Sequence, residues 1–277
     1  FLANSKEDKY KIELVNFLND NVSLDEFCLS KSKFEINSND ANTTIIIPVY
    51  NQLEITLRCL ATLALIISNN KFKITIVDDC STDDLSAIKS KFPNIQVIRN
   101  KKNEGFIGSI NIALKLVKTK YVHLLNNDTE VTNNFLDELV EVFNNFKDVG
   151  LGGSKLLFAD GSLQEAGCVL WKDGIPWNYG RHKNPFNSRY RYTREVDYCS
   201  GASLFSKTSI LKEVGGLSEY LKPAYFDDAD LAMKVKRSGR KVYFSAKSKV
   251  FHLEGVSNGT SVEKGNKSFQ KQNEIKF

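Results

Sequence analysis

No stretch of this sequence is long and apolar enough to cross a bilayer. The longest, LATLALII at Leu60–Ile67, falls well short of the roughly 20 residues required. The first residues, FLANSKEDKY, lack a basic start followed by an apolar core and do not read as a signal peptide. Cysteine is sparse. The five, Cys28, Cys59, Cys80, Cys168 and Cys199, are far apart, odd in number and free of any C-x-x-C pair. That excludes a disulfide framework and reads as reduced, mostly buried thiols of a cytosolic protein. Net charge is only +5, from 38 basic and 33 acidic side chains, too little to indicate a nucleic-acid partner. Two nucleotide signatures are missing as well. The first strand runs into PVYNQLE rather than a Gly-rich fingerprint, and GFIGSIN, with Gly105 and Gly108, follows the third strand without the full spacing. No P-loop is present. A classical nicotinamide enzyme and a nucleoside triphosphatase are thereby excluded.

What the chain does contain is an ordinary globular composition, 42% hydrophobic and 26% charged, enough for one large domain or two small ones. From residue 43 a regular pattern emerges. TTIIIPVYN reads as a buried strand ending at Pro48, and LEITLRCLATLALIISNN as a helix. FKITIVDDCS is a second strand, TDDLSAIKSKF a helix capped by Ser81 or Thr82, IQVIRN a third strand, GFIGSINIALKLVKT a helix and KYVHLLNND a fourth strand. Strict alternation of strand and helix predicts an α/β, Rossmann-like sandwich with a mostly parallel central sheet flanked by helices. After residue 150 the strands shorten (GGSKLLF, CVLW, KVYFSAKSKVFH) around a Trp/Tyr/Gly-rich loop, WKDGIPWNYGR. There is no internal repeat.

In such sheets ligands bind beyond the carboxyl ends of the strands. Here PVYN, DDCSTD, RNKKNEG and NNDTE place polar groups at four such ends. Asp128, after Asn126 and Asn127, offers a carboxylate beside amide oxygens, which suits a hard divalent cation carrying a diphosphate, although Asn and Asp also favour plain turns. Asp79 is placed to accept the imide N–H of a pyrimidine, and Tyr50 to pack on its face; a capping acid and a turn aromatic are the alternatives. Asp227, Asp228 and Asp230 crowd the start of a helix closed by Gly239. One such acid complements the helix dipole, but three repel one another. The run Arg181–Arg194 carries five cations and no acid, either a solvated loop or a surface for an anionic group. Among the three histidines, His252 follows an apolar strand, His123 lies within one, and His182 lies in the basic run.

TTIIIPVYN, VDDCSTD and LLNNDTE, then YFDDADLAMKVKRSGRKV and VFHLEG about a hundred residues later, with NEGFIGSIN and DYCSGASLFSK between, resemble the family 2 glycosyltransferases of GT-A fold. The resemblance spans roughly residues 43–255 and extends to bacterial polysaccharide and O-antigen types, including rhamnosyltransferase-like members. It implies transfer of a sugar from a UDP- or dTDP-sugar donor to an acceptor hydroxyl with inversion. By that resemblance Pro48, Tyr50 and Asn51 hold base and ribose, Asp79 reads the uracil or thymine, and Asp128 is the last carboxylate of the D-x-D motif. Asp228 is the general base, kept ionised by the helix N-terminus, and Asp227 stands beside it where the family usually has Glu. His252 completes a site for Mn2+ or Mg2+. The triplet departs from the pattern, since Asn126 and Asn127 leave Asp128 its only carboxylate.

Gly105 belongs to the nucleotide side. Gly201 and Ala202 are expected under the donor sugar, with Trp177 and Arg181 on the acceptor side. Asp230 is read as a structural first-turn acid. The expected layout is an N-terminal helical appendage or linker at 1–40, a single catalytic domain at 41–255, and a tail or linker to a further domain at 256–277. The catalytic domain divides into a nucleotide-binding half at 41–130 and an acceptor-binding half at 131–255. Both ends read as cuts from a longer protein. The expected partners are a nucleotide-sugar and a glycan or lipid-linked saccharide, with no nucleic acid. The expected location is cytoplasmic, with peripheral contact at the inner membrane face. Two other readings stand beside this one: a binding module without catalysis, and a nucleotidyltransferase, which would want a basic Gly-rich loop in place of PVYNQLE.

Overall fold

The computed structural model describes residues 38–254 and 268–277. The appendage expected at 1–40 falls almost wholly outside the described residues. The first half is a strand–helix alternation: β1 (Thr43–Val49), α1 (Leu53–Leu65), β2 (Phe72–Asp78), α2 (Ser86–Lys91), β3 (Gln96–Arg99), α3 (Gly105–Leu116) and β4 (Tyr121–Leu125). Then come β5 (Thr129–Val131), α4 (Phe135–Asn145), β6 (Val149–Leu157), β7 (Leu163–Glu165), and a hairpin of β8 (Cys168–Leu170) and β9 (Pro176–Asn178). β10 (Arg194–Glu195), β11 (Ser203–Lys207), α5 (Thr208–Glu213), α6 (Asp227–Arg237), β12 (Lys241–His252) and α7 (Ser268–Lys276) complete the described chain.

One sheet organises the molecule, in the order β10-β12-β6-β11-β4-β1-β2-β3, with β5 on β12 and β7 on β6. The β1, β2, β3 and β4 ladders are parallel, as is β6 with β12; β11 runs antiparallel between β4 and β6. The period of two in β1 sends Ile45, Ile47 and Val49 to one face and Ile46 to the other. On the first face they join Leu57, Leu60 and Ala61 of α1 and Phe135 and Leu139 of α4. On the other, Ile46 joins Ile107 and Ile110 of α3 and Leu231 and Val235 of α6. Sheet residues buried on both faces explain why β1 and β2 read as continuous β-branched runs. The buried His123 continues across the sheet through Ser203, Ser154 and Ser248, at 2.8–2.9 Å. Burial pulls its imidazole down to about 3, so it is a neutral structural group.

Several boundaries differ from the sequence reading. α1 ends at Leu65 because Ile66 turns extended and the following backbone is claimed by the start of α4. Asn133 Oδ1 accepts from Ile67 N–H at 2.9 Å, and Asp137 accepts from Asn69 and Asn70 N–H. The helix after β2 starts at Ser86, not at Ser81 or Thr82. Asp84 takes the Ser86 N–H at 2.9 Å, while Ser81 is drawn into the β1–β2 turns. The segment expected as a tail contains α7, which packs back on the domain. Its Asn273, fully buried, donates through Nδ2 to the carbonyls of Leu221 and Ala224 at 2.6 and 2.8 Å, and more loosely to Tyr225. Phe277 lies 5.3 Å from Phe226 between ring centroids. α7 therefore braces the turn that leads into α6. Asn273→Ala leaves buried carbonyls without a donor and should cost about 1–3 kcal/mol, read as a lowered Tm; an unchanged Tm would remove α7 from this role.

Candidate active site

The carboxyl ends of β1, β2, β4, β6 and β12 gather most of the polar side chains anticipated above. At the end of β1, Asn51 adopts a left-handed backbone (φ 58°). Its Oδ1 accepts from Thr82 N–H at 2.8 Å and Asp83 N–H at 3.2 Å, and its own N–H donates to Ser81 Oγ at 2.8 Å. Asn51 thus ties the first strand end to the second and leaves Tyr50 about half exposed beside them. Pro48 lies within β1, in register with Val77. Asp79 is buried rather than open. Its carboxylate accepts from Asn100 Nδ2 at 2.8 Å, Glu104 N–H at 2.7 Å and Gly105 N–H at 2.8 Å. Expected to read a base, its carboxylate clamps the loop entering α3. Gly105 is needed at that clamp. Its φ is +73°, and a Cβ would come within 2.6 Å of Pro223. Ile107 N–H in turn donates to Pro223 O at 3.2 Å, linking the nucleotide side to the segment before α6.

After β4, Asn127 donates to Thr56 Oγ1 at 3.1 Å, and Asn126 N–H donates to Ala202 O at 3.1 Å. The side-chain oxygen of Asn126 is buried without a hydrogen-bond partner. Asp128, 4% exposed, places Oδ1 3.3 Å from His252 Nε2. His252 Nδ1 meets Gln164 Oε1 at 3.0 Å. With Nδ1–H given to Gln164, Nε2 is the atom left facing Asp128. Gln164 Nε2 donates to Glu254 Oε2 at 3.1 Å, and Arg181 binds the same oxygen at 2.6 Å. Arg181 also lies over the Phe158 ring. Its guanidinium, expected on the acceptor side, forms the outer end of a chain that reaches His252 through Glu254 and Gln164. Burial works to lower the His252 pKa, but Asp128, Glu254 and Glu165 outweigh it and raise it.

The third group is at the head of α6. Tyr225 and Phe226 both hold positive φ, 79° and 64°, conformations that cost bulky residues energy. They deliver Asp227, 6% exposed, and Asp228 to the first turn. Gly201 N–H donates to Asp228 Oδ2 at 3.1 Å, and Ala229 N–H to Oδ1 at 2.8 Å. Asp230 turns away: Ser218 Oγ and Tyr220 OH donate to it, the latter at 2.7 Å. A Cβ on Gly201 would meet Asp227 Oδ2 at 3.7 Å, ordinary contact, so its backbone does not demand glycine. Ala202 is buried behind it. Trp177 and Trp171 stand half exposed on the β8–β9 hairpin, 6.2 Å apart between ring centroids.

Glu165 was not foreseen. It is fully buried on β7, accepts from Ser200 N–H at 3.0 Å and Asn178 Nδ2 at 3.3 Å, and lies within electrostatic reach of both Asp228 and His252. Successive amides of one turn are thus held by two carboxylates, Ser200 by Glu165 and Gly201 by Asp228. The only advance signal was the pair of polar residues in LQEAG, too short for periodicity to reveal a buried strand.

Asp128 and His252 fit a divalent ion as a partial set: one hard oxygen and one imidazole, face to face, with a buried unpartnered amide oxygen in the same triplet. Among the described residues no three His, Cys, Asp or Glu side chains form a complete metal cage. The set suits an ion that brings further oxygen ligands with it.

The fold and the strand-end site define a GT-A-type protein. Residues 44–213 match the model described as Glycosyl transferase family 2, and the chain belongs to that family. It is 26% identical over 227 residues to an uncharacterized protein, y4gI, of Sinorhizobium fredii, covering 78% of this chain and 25% of that one. It is 26% identical to a poly(ribitol-phosphate) beta-glucosyltransferase of Bacillus spizizenii, covering 76% and 32%. It is 29% identical to the O-antigen biosynthesis protein RfbC of Myxococcus xanthus, covering 53% and 12%. The chain therefore spans a third or less of these relatives. Among solved structures, GalNAc-T7 with UDP, GalNAc and Mn2+ aligns at TM-score 0.66 and 16% identity, over 84% of this chain and 47% of that one. S. aureus TarS 1-349 in complex with UDP aligns at 0.54 and 22%, over 76% and 60%.

Burial, reinforced by Asp228, pushes Asp227 up to about 7; burial also raises Asp228 against the pull of the Gly201 and Ala229 amides. Burial likewise lifts Glu165 to about 7. A carboxyl raised on folding favours the native state when protonated. Its contribution is full below the ordinary value, 3.8 for Asp227, and is lost as pH rises through about 7. Wild-type Tm should fall between pH 5 and pH 8, and Asp227→Asn should flatten that fall; parallel curves for the two proteins would contradict the assignment.

Proposed function

We propose that the chain transfers a sugar from a UDP- or dTDP-sugar to a hydroxyl of a glycan acceptor, with inversion, using Asp228 as general base. The observation that carries this reading is the Asp227–Asp228 pair at the head of α6. It is held by the Gly201 amide on the same strand-end face as Asp128 and His252. A sugar hydroxyl is a poor nucleophile. Burial raises the Asp228 carboxyl above its ordinary value, which makes its carboxylate a better acceptor for the hydroxyl proton as the new bond forms. Asp227, sharing the burial, supports that basicity by repelling a second negative charge.

The donor lies across the β1, β2 and β4 ends. Tyr50 offers an exposed ring for the pyrimidine face, Asn51 and Pro48 shape the turn around base and ribose, and Asp79 fixes the loop beside them. Asp128 and His252 would hold Mn2+ or Mg2+, which when bound would supply positive charge to the donor diphosphate. Gly201 and Ala202 bound the sugar, and the Trp171–Trp177 platform faces the acceptor side. Relatives named for O-antigen and ribitol-phosphate polymers support a bacterial surface glycan or lipid-linked saccharide as acceptor, and a cytoplasmic site at the inner membrane face. Among the described residues no helix is long and apolar enough to cross a membrane. A catalytically inactive sugar-nucleotide module is the second reading, but the buried acidic pair costs stability without serving binding alone. A nucleotidyltransferase lacks its basic Gly-rich loop.

Asp228→Asn should lower transfer by about 10²–10⁴-fold while UDP affinity stays within a few-fold, measured by product formation and calorimetry on the same preparation. Full activity in that variant would remove Asp228 as base, and a product retaining the donor's anomeric configuration would remove the single-displacement reading.

A further inference from the structure

We propose that the basic cavity between β6, β12 and the turn at Ser188–Tyr190 is a second anion site, taking a phosphate ester. The cavity encloses about 350 Å3 and is lined by Lys155, Arg191, Lys247 and Lys249. Glu138 is the one carboxylate among its described lining residues, and Phe186 contributes apolar wall. An excess of three positive charges favours a multiply charged anion over a lone carboxylate. Lysine ammonium and the arginine fork are the groups that meet phosphate oxygens best.

Lys155 singles this cavity out. It sits on β6 in register with Lys249 of β12, is 4% exposed, and has no hydrogen-bond or ion-pair partner among the described residues. Most of the Lys155 side chain is buried, an unusual place for a lysine with no counter-charge. The charges acting on it are cations. Burial, with Lys249, Arg191 and Arg194 beside it, pulls its pKa down to about 8. A bound phosphate supplies the missing counter-charge. The rest of the protein gives Lys155 no packing reason to be charged, since a Met would fill the same space.

Lys249 lies three residues before His252 on β12, an odd offset that turns the two side chains to opposite faces of the strand, so this site is separate from the one at Asp128 and His252. The shared chemistry, a phosphate ester, has two sources: a soluble polyol-phosphate unit and a lipid headgroup.

The test measures binding, so it stands apart from whether transfer occurs. Glycerol 3-phosphate, and separately vesicles of phosphatidylglycerol against vesicles of phosphatidylcholine, are titrated into the full chain at fixed ionic strength, for wild type and Lys155→Met. UDP titration serves as the control for the other site. The expected result is wild-type binding weakened about tenfold or more by Lys155→Met, with UDP affinity unchanged. Saturation by glycerol 3-phosphate assigns the soluble source; a response to anionic vesicles alone assigns the lipid. If Lys155→Met fails to fold, the exposed pair Arg191→Gln and Lys247→Gln should weaken binding by a similar factor. No binding of either probe, or binding that these substitutions leave unchanged, overturns the proposal.

Discussion

The constraint on which this molecule turns is the burial of several carboxylates at one edge of a sheet. Asp128, Glu165 and Asp227 are each less than a tenth exposed, and Asp228 adjoins them. Negative charges in low dielectric repel strongly, and their pKa values rise unless donors or cations answer them. The protein answers them only in part. His252 meets Asp128, and the amides of Ser200 and Gly201 meet Glu165 and Asp228. What remains is a buried acidic pair at the head of α6, both carboxyls raised above their ordinary range. A fold that optimised stability alone would have no use for it.

The supports around this cluster form two chains. One runs from Arg181 through Glu254 and Gln164 to His252 and Asp128. It fixes the imidazole from outside the pocket and leaves Nε2 facing inward. The other starts at Asp79, which clamps the Glu104 and Gly105 amides; Gly105 packs on Pro223, and Asn273 of α7 holds the carbonyls on either side of it. Through these contacts the entry to α6, with its two left-handed residues, is braced by both halves of the domain. Side chains such as Asp79 and Arg181 thus reach the chemistry through geometry rather than by touching the reacting groups.

The parallel half of the fold was legible because β1, β2 and β4 are continuous apolar runs ending in polar turns, and α1 and α3 carry helical periodicity. The strand-end position of Asp128 and His252, and the helix-head position of Asp227 and Asp228, followed from the same pattern and from the family resemblance. The rest was hidden for identifiable reasons. β7 is three residues long, so Glu165 had no periodic context. α4 was not assigned from the sequence. The partners of Asp79 and Arg181 lie at separations of 21–26 and 73 residues, and no local signal indicates that a carboxylate or guanidinium is already occupied. Nothing in GGSKLLF marks Lys155; only the sheet places it opposite Lys249.

The account rests on the claim that Asp128 and His252 form half of a cation site completed by a nucleotide diphosphate. Calorimetric titration of UDP and dTDP, with and without Mn2+, tests this most directly when wild type is set against Asp128→Ala. The account predicts binding that strengthens with Mn2+ in the wild type and loses that dependence in Asp128→Ala. Nucleotide affinity indifferent to both metal and Asp128, or no nucleotide binding under any metal condition, would contradict it.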